Sequence, residues 1–183
     1  MQNSVNNENK VILGHSDNLP TPPCPICPCV LFVKDDSRAV TPTKGTPFSV
    51  GYDLTILSFL KRLTNRTALY DTGIVISPPE GYYVEILPRS SLSKTGYIIA
   101  NSTGIIDPDY RGRLLVALAK IDDSCPDLEF PCTKFQMVLR KHEVFNMCQV
   151  DSLDNTERGS GGFGSTDRPV SEECSSTSSE KKI

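Results

Sequence analysis

Gly73-Ile74-Val75-Ile76-Ser77-Pro78-Pro79-Glu80-Gly81-Tyr82-Tyr83-Val84-Glu85-Ile86-Leu87 is the stretch on which the fold reading turns. Two short runs rich in β-branched and aromatic residues stand on either side of Pro-Pro-Glu-Gly. Proline fixes φ and withholds an N–H, and glycine tolerates positive φ, so these four residues read as a turn between two strands. The same punctuation recurs outward. Residues 30–34, 97–100, 114–121, 135–139 and 144–150 also read as strands, with Asp107-Pro108-Asp109 marking another turn. Many short strands at this spacing predict an all-β fold of the sandwich, jelly-roll or barrel type. One segment dissents: Ile56, Phe59, Leu60 and Leu63 fall at helical spacing, which predicts a short helix or irregular insertion near 56–66.

The whole chain has 183 residues, 38% hydrophobic and 22% charged, enough for one domain with a real core. Its net charge of −3 offers no broad basic field, so a nucleic-acid partner is not expected. No apolar stretch approaches the roughly 18 residues of a membrane span, and no membrane partner is expected. Met1 to Lys10 are polar and Asn-rich, without the hydrophobic centre of a signal peptide. Together with an odd count of seven cysteines, this predicts an intracellular protein, cytoplasmic or nuclear. Cys24, Cys27 and Cys29 cluster, but a closed zinc site needs a fourth ligand, and neither His15 nor His142 completes a Cys-His pair. The surrounding prolines favour an extended arm with free thiols.

Composition divides the chain further. Residues 1–29 form a polar, then Pro/Cys-rich arm expected to be poorly ordered or extended, and residues 30–150 hold nearly all the apolar runs. Residues 151–166 make a Gly-rich arm, and 167–183 a Ser-rich and acidic tail with too little apolar surface to offset the entropy of ordering. No internal repeat is visible.

Five polar stretches interrupt this pattern in order. They are Val50-Gly51-Tyr52-Asp53-Leu54; Pro88-Arg89-Ser90-Ser91-Leu92; Asn101 followed by Gly104-Ile105-Ile106-Asp107-Pro108-Asp109-Tyr110-Arg111-Gly112; Phe135-Gln136-Met137-Val138; and Arg158-Gly159-Ser160-Gly161-Gly162-Phe163-Gly164-Ser165-Thr166. An Arg fork beside hydroxyls can grip phosphate oxygens, although Arg-Ser-Ser after a strand is also how a capped turn reads. The polar loop between the runs 97–100 and 114–121 has the look of a β-hairpin pocket. A carboxylate in such a loop, Asp107, can orient a water and accept its proton, though Asp-Pro-Asp is equally a plain turn. Asp109 and Arg111 fit a structural ion pair. A Gly-rich tract is a linker by default, but Arg158 and Phe163 within it supply a guanidinium for phosphate and an aromatic face.

Taken in order, the five stretches resemble the homotrimeric dUTPase family, the deoxyuridine triphosphate nucleotidohydrolases, over roughly residues 47–166. The resemblance implies a jelly-roll-like fold, a homotrimer with composite sites at subunit boundaries, and a flexible C-terminal arm. It implies hydrolysis of dUTP to dUMP and pyrophosphate, which limits uracil in DNA and supplies dUMP for dTMP synthesis. Asp107 would hold the water that attacks the α-phosphorus. Ser90 would contact the oligophosphate near the scissile bridge, supported by Arg89 and Ser91. Asn101 and the backbone around Gly104 and Ile106 would read uracil, and Tyr110 would pack on deoxyribose and exclude a 2′-hydroxyl. Gln136 would touch the α-phosphate region and Asp53 would orient its neighbours. Arg158, Phe163, Gly164, Ser165 and Thr166 would close as a lid on a neighbouring subunit's site. Mg²⁺ would ride on the triphosphate and water, with no direct protein ligand.

One motif departs from the family pattern. Phe135 stands where a small residue is usual, so the packing around Gln136 is an open question, and a solvent-facing Gln136 is the alternative. Two other functions compete. A dCTP deaminase shares the Arg-Ser-Ser element but needs a catalytic Glu near the ring, and Glu85 lies too early in the chain. A regulatory protein on the same fold would have lost catalysis, yet Asp107 and Tyr110 are both present.

Overall fold

The computed structural model describes residues Cys27–Phe163. The N-terminal arm up to residue 26 and the stretch from Gly164 on, which includes Gly164, Ser165 and Thr166, lie outside the described residues. The chain divides into two units, one ending at Val144 and one beginning at Phe145.

Among the described residues, the regular elements of the first unit are strands and one 3₁₀ turn. In chain order they are β1 (Leu31–Lys34), β2 (Tyr52–Ile56), β3 (Ser58–Arg62), β4 (Thr67–Asp71), β5 (Ile74–Ser77), β6 (Tyr82–Pro88), the turn Ser90–Lys94, β7 (Tyr97–Ile99), β8 (Gly104–Ile106), β9 (Leu115–Lys120) and β10 (Cys132–Lys141). Every pairing is antiparallel. Two four-stranded sheets run β2-β10-β6-β8 and β3-β4-β9-β7, and β1 pairs with β5 as a ribbon. The arrangement is the all-β, jelly-roll-like one that the strand spacing predicts.

Alternation along the strands explains the core. Leu54 and Ile56 of β2, Val84 and Ile86 of β6, Val116 and Leu118 of β9, and Phe135 of β10 are all buried in one cluster with Ile74 and Ile76 of β5. Period-2 patterning sends these residues inward, with Thr55 an exception that is buried too and shares a 2.8 Å hydrogen bond with the Thr133 hydroxyl. Phe135 settles its open question: its side chain is wholly buried, between Leu54 of β2 and Pro88 of β6. Burying a side chain of this size stabilises by about 1.5–3 kcal/mol.

Two expectations are corrected. Near 56–66 there is no helix but the strand β3, which pairs with β4 through a bulge between Phe59 and Lys61. The bulge adds a residue, so Phe59, Leu60 and Leu63 mimic helical spacing while all three remain about half exposed. Residues 144–150 are not a strand. Among the described residues no ladder pairs them, and Val144, Phe145, Met147 and Val150 are exposed. An alternating apolar run becomes a strand only where an edge offers it hydrogen-bond partners.

Candidate active site

Strand register assembles the first group of site residues. Gln136 on β10 lies opposite Asp53 of β2 on one side and Leu87 of β6 on the other. Three motifs far apart in sequence therefore meet on adjacent strands. Arg89, just past β6, places Nη1 2.7 Å from Asp53 Oδ2. Its backbone N–H donates to the Lys134 carbonyl at 2.8 Å, and its guanidinium also reaches the Thr133 carbonyl at 3.4 Å. Gln136 Nε2 donates to the Pro88 carbonyl at 3.2 Å, so its amide is engaged at the strand end. A Cβ on Gly51 would lie 2.5 Å from Gln136 Oε1, so a larger residue there would displace the Gln136 amide. The Arg89 side chain is 37% exposed. With five donors and only part of them engaged, it keeps N–H groups for an anion.

After Arg89 the chain enters the turn Ser90–Lys94, pinned by buried Leu92 and by Ser93 Oγ donating to the Ser90 carbonyl at 2.6 Å. The hydroxyls of Ser90 and Ser91 make no hydrogen bond among the described residues. Beside them opens a cleft of about 600 Å³ lined by Arg89, Ser90, Tyr97, Ile99 and Ser102 among others.

The second group rides on the connection from β7 to β9. These strands pair antiparallel, Tyr97 opposite Lys120 and Ile99 opposite Leu118, as the arms of a hairpin would. The connection is more than a hairpin loop, however, because it carries β8, which crosses to the other sheet and pairs with β6. Asn101 is exposed at its start, followed by Ser102 at φ 65°, a left-handed conformation uncommon outside glycine. Gly104 and Ile106 sit on β8 itself, opposite Ile86 and Val84. As an edge strand, β8 leaves one row of N–H and C=O groups without a neighbouring strand.

Asp107 follows β8 and is exposed, and its carbonyl accepts the Tyr110 N–H at 3.1 Å. The Tyr110 hydroxyl donates to the Arg113 carbonyl at 3.1 Å. Gly112 lies under the Tyr110 ring so closely that any Cβ there would overlap it. Arg111 gives its guanidinium to the carbonyls of Pro108 and Tyr110 at 2.8 and 2.9 Å. The expected Asp109–Arg111 ion pair is not among the described contacts, since those carbonyls take the charge instead.

Within one chain Asp107 and Arg89 lie toward opposite ends of β6, although Ala100 and Ser102, the neighbours of Asn101, line the cleft beside Ser90. Asp107 lies next to the Val84–Ile106 pair, whereas Arg89 follows the far end of β6. The five residue-to-residue steps from Val84 to Arg89 span roughly 17 Å of extended chain. The cleft beside Ser90 is lined by Ser102 but not by Asp107.

In the second unit, Arg158 Nε donates to the Gly161 carbonyl at 3.2 Å, and the Gly161 N–H returns to the Arg158 carbonyl at 3.1 Å. Gly159 and Phe163 both take positive φ, and the Phe163 side chain is fully exposed.

Sequence reasoning gave no role to Thr133, Gly112 or Arg113, although Gly112 closes one of the five motifs. Each acts through a backbone group or a close approach, which leaves little mark on residue pattern. Glu85 has a structural role: it accepts from Arg140 Nε at 2.8 Å and from the Tyr83 hydroxyl at 3.0 Å. The Arg140 hydrogen bond, more than the Tyr83 one, holds its carboxyl below the usual range. Among the described residues, no three His, Cys, Asp or Glu side chains gather as a metal site. Likewise, no helix there is long and apolar enough to cross a membrane.

Fold and site together define a class: an all-β chain whose strand ends carry a phosphate-competent Arg-Ser-Ser turn and an exposed, carboxylate-bearing loop. Comparison with known proteins narrows this. The dUTPase family model matches residues 37–167. Curated deoxyuridine 5'-triphosphate nucleotidohydrolases are similar: that of Arabidopsis thaliana is 38% identical over 152 residues, 83% of this chain and 87% of its own length. That of Orientia tsutsugamushi (strain Boryong) is 43% identical over 128 residues, 68% of this chain and 86% of its own. Among solved structures, a mutant dUTPase of Staphylococcus bacteriophage 80alpha with dUpNHpp has TM-score 0.62 at 23% identity, covering 75% of this chain and 97% of that one. A mutant dUTPase from phage phi11 of S. aureus, solved with a coordinated structural Mg(II) ion, has TM-score 0.57 at 19% identity, covering 69% and 99%. This chain belongs to the dUTPase family.

Proposed function

We propose that this protein is a dUTP diphosphatase that releases dUMP and pyrophosphate through a site shared between copies of the chain. The observation that supports this reading is the separation of Asp107 from Arg89 within one chain, roughly 17 Å along β6. The group around Arg89 has the chemistry for phosphates and the group around Asp107 that for base, sugar and water.

On the phosphate side, Asp53 holds the Arg89 fork and leaves its outer N–H groups toward the ligand, with Ser90 and Ser91 supplying hydroxyls. Gln136, fixed against Pro88, stands beside the α-phosphate. On the other side, the outer edge of β8 around Gly104 and Ile106 offers backbone donors and acceptors to the uracil edge, and Asn101 completes the pattern. A polar match of this kind rejects cytosine more sharply than a missing methylene would. Tyr110 meets the deoxyribose face. Asp107 orients the attacking water and accepts its proton as the water oxygen bonds to the α-phosphorus and pyrophosphate leaves.

Mg²⁺ would take a place on the triphosphate, whose oxygens and retained waters suit it, while Asp53 is engaged by Arg89. When bound, the ion neutralises phosphate charge. A homotrimer brings the two groups together from neighbouring copies, and the exposed apolar run from Val144 to Val150 is surface that a neighbour would cover. Arg158, Phe163, Gly164, Ser165 and Thr166 then serve as the lid over base and terminal phosphates, in an arm of residues 151–166 beyond a catalytic domain of residues 30–150.

A pyrophosphate-release assay over dUTP, dTTP, dCTP and UTP, with and without Mg²⁺, tests the reading. Mg²⁺-dependent release from dUTP alone is the expected result. Ammonia release from dCTP would instead establish a deaminase, and no turnover of any of the four would establish a non-catalytic relative.

A further inference from the structure

We propose that Arg113 is a positioning residue for Tyr110, and that its clamp onto Asp71 and Asp35 tunes how strongly the chain prefers a deoxyribose over a ribose. This rests on the reading above that Tyr110 meets the sugar.

Arg113 is held on three sides. Its Nε donates to Asp35 Oδ2 at 2.7 Å, its Nη1 to Asp71 Oδ2 at 2.8 Å, and its Nη2 to the Asp35 carbonyl at 2.7 Å. The Asp71 side chain is only 10% exposed, and its other oxygen accepts the Gly73 N–H at 2.9 Å. A carboxylate this buried requires its partners, because an unpaired one carries a large desolvation cost. The exposed Asp35 carboxylate is the weaker arm of the clamp. These two carboxylates also keep the Arg113 guanidinium protonated beyond its ordinary range.

The next residue is fixed as well. Leu114 is fully buried, its N–H donates to the Ile74 carbonyl at 2.7 Å, and its carbonyl accepts the Thr72 hydroxyl at 2.8 Å. The backbone at residue 113 is therefore clamped from its side chain and from its C-terminal neighbour. That backbone carbonyl is the acceptor for the Tyr110 hydroxyl. Gly112 sets the height of the ring and Arg113 sets the point to which its hydroxyl is tied. Loss of the guanidinium leaves Asp71 buried without its cation, and the loop end must shift to hydrate it. Tyr110 then loses its fixed acceptor and tilts away from the position in which a 2′-hydroxyl would collide with it.

The test compares kcat/KM for dUTP and UTP in wild type, R113K, R113Q, Y110F, Y110A and the R113Q/Y110F double variant, with thermal unfolding followed for each. The dUTP-over-UTP ratio is expected to fall roughly 10-fold in R113Q and in Y110F. R113K, which keeps the charge but loses the fork, should fall between. The double variant should drop no further than either single one, since both break the same link. A ratio that falls in Y110A but stays at the wild-type value in both Arg113 variants overturns the inference and spares the sugar reading. Additive losses in the double variant overturn it too. An unchanged ratio in Y110A overturns the sugar reading itself, and this inference with it. If R113Q fails to fold, R113K and Y110F decide the matter.

Discussion

The strand ends that hold Asp53, Arg89 and Gln136 and the loop that holds Asn101, Asp107 and Tyr110 are built by opposite means. The first group is set by ladder register over a packed core, with Phe135 one residue from Gln136 and wholly buried. The second sits on a connection that leaves one sheet, adds an edge strand to the other, and returns. Its shape depends on local ties: a Tyr hydroxyl on a carbonyl, an Arg on two others, a glycine under a ring. Rigid register suits a grip on phosphates, which is a matter of charge in fixed places. A loop with its polar groups outward suits the recognition that, in the proposed trimer, a second copy completes.

The comparison breaks most visibly at Asp107. Asp107→Asn should lower kcat by about 10²–10⁴-fold while a non-cleavable dUTP analogue still binds within a few-fold of wild type, measured by titration calorimetry. Substitution at Phe135 strikes the other region through its support. Phe135→Ala should cost about 3–5 kcal/mol of stability in a denaturant titration, and loosen Gln136 with it. A chain ending at residue 157 should lose roughly 100-fold in kcat with its melting temperature nearly unchanged, if the arm is a lid rather than a structural element. Smallest is the effect of Glu85→Gln. Because Arg140 holds the folded carboxyl below its ordinary value of 4.5, that contribution is present above this value and is lost as pH falls through the lower folded one. The variant should therefore show a slightly flatter decline of melting temperature as the pH falls below that ordinary value.

Sequence revealed much of the first region and less of the second. The runs 73–77 and 82–87 became β5 and β6 almost to the residue, because Pro78-Pro79-Glu80-Gly81 stops both neighbours by hard sterics. The segment 56–66 misled because one bulge residue turns a period of two into a false period near three and a half. Residues 144–150 misled because periodicity reports what a segment can pair with, not whether a partner exists in the same chain. Asp107, Tyr110 and Arg89 became site candidates only through the family resemblance of the motifs taken in order, since residue type alone reads the first and last of them as turn residues. Gly112, Thr133 and Arg113 could not be given roles in this way, since their work is done by a missing Cβ and by carbonyl oxygens that every residue possesses.

Whether neighbouring copies share one site is open to direct measurement by mixing. Asp107→Asn and Ser90→Ala chains, each inactive or nearly so alone, are unfolded together, refolded in equal amounts and assayed for pyrophosphate release from dUTP. Random assembly should return roughly a quarter of the wild-type rate, from sites that take the intact loop of one chain and the intact Arg-Ser-Ser turn of the other. A mixture no more active than its two components would contradict the shared site.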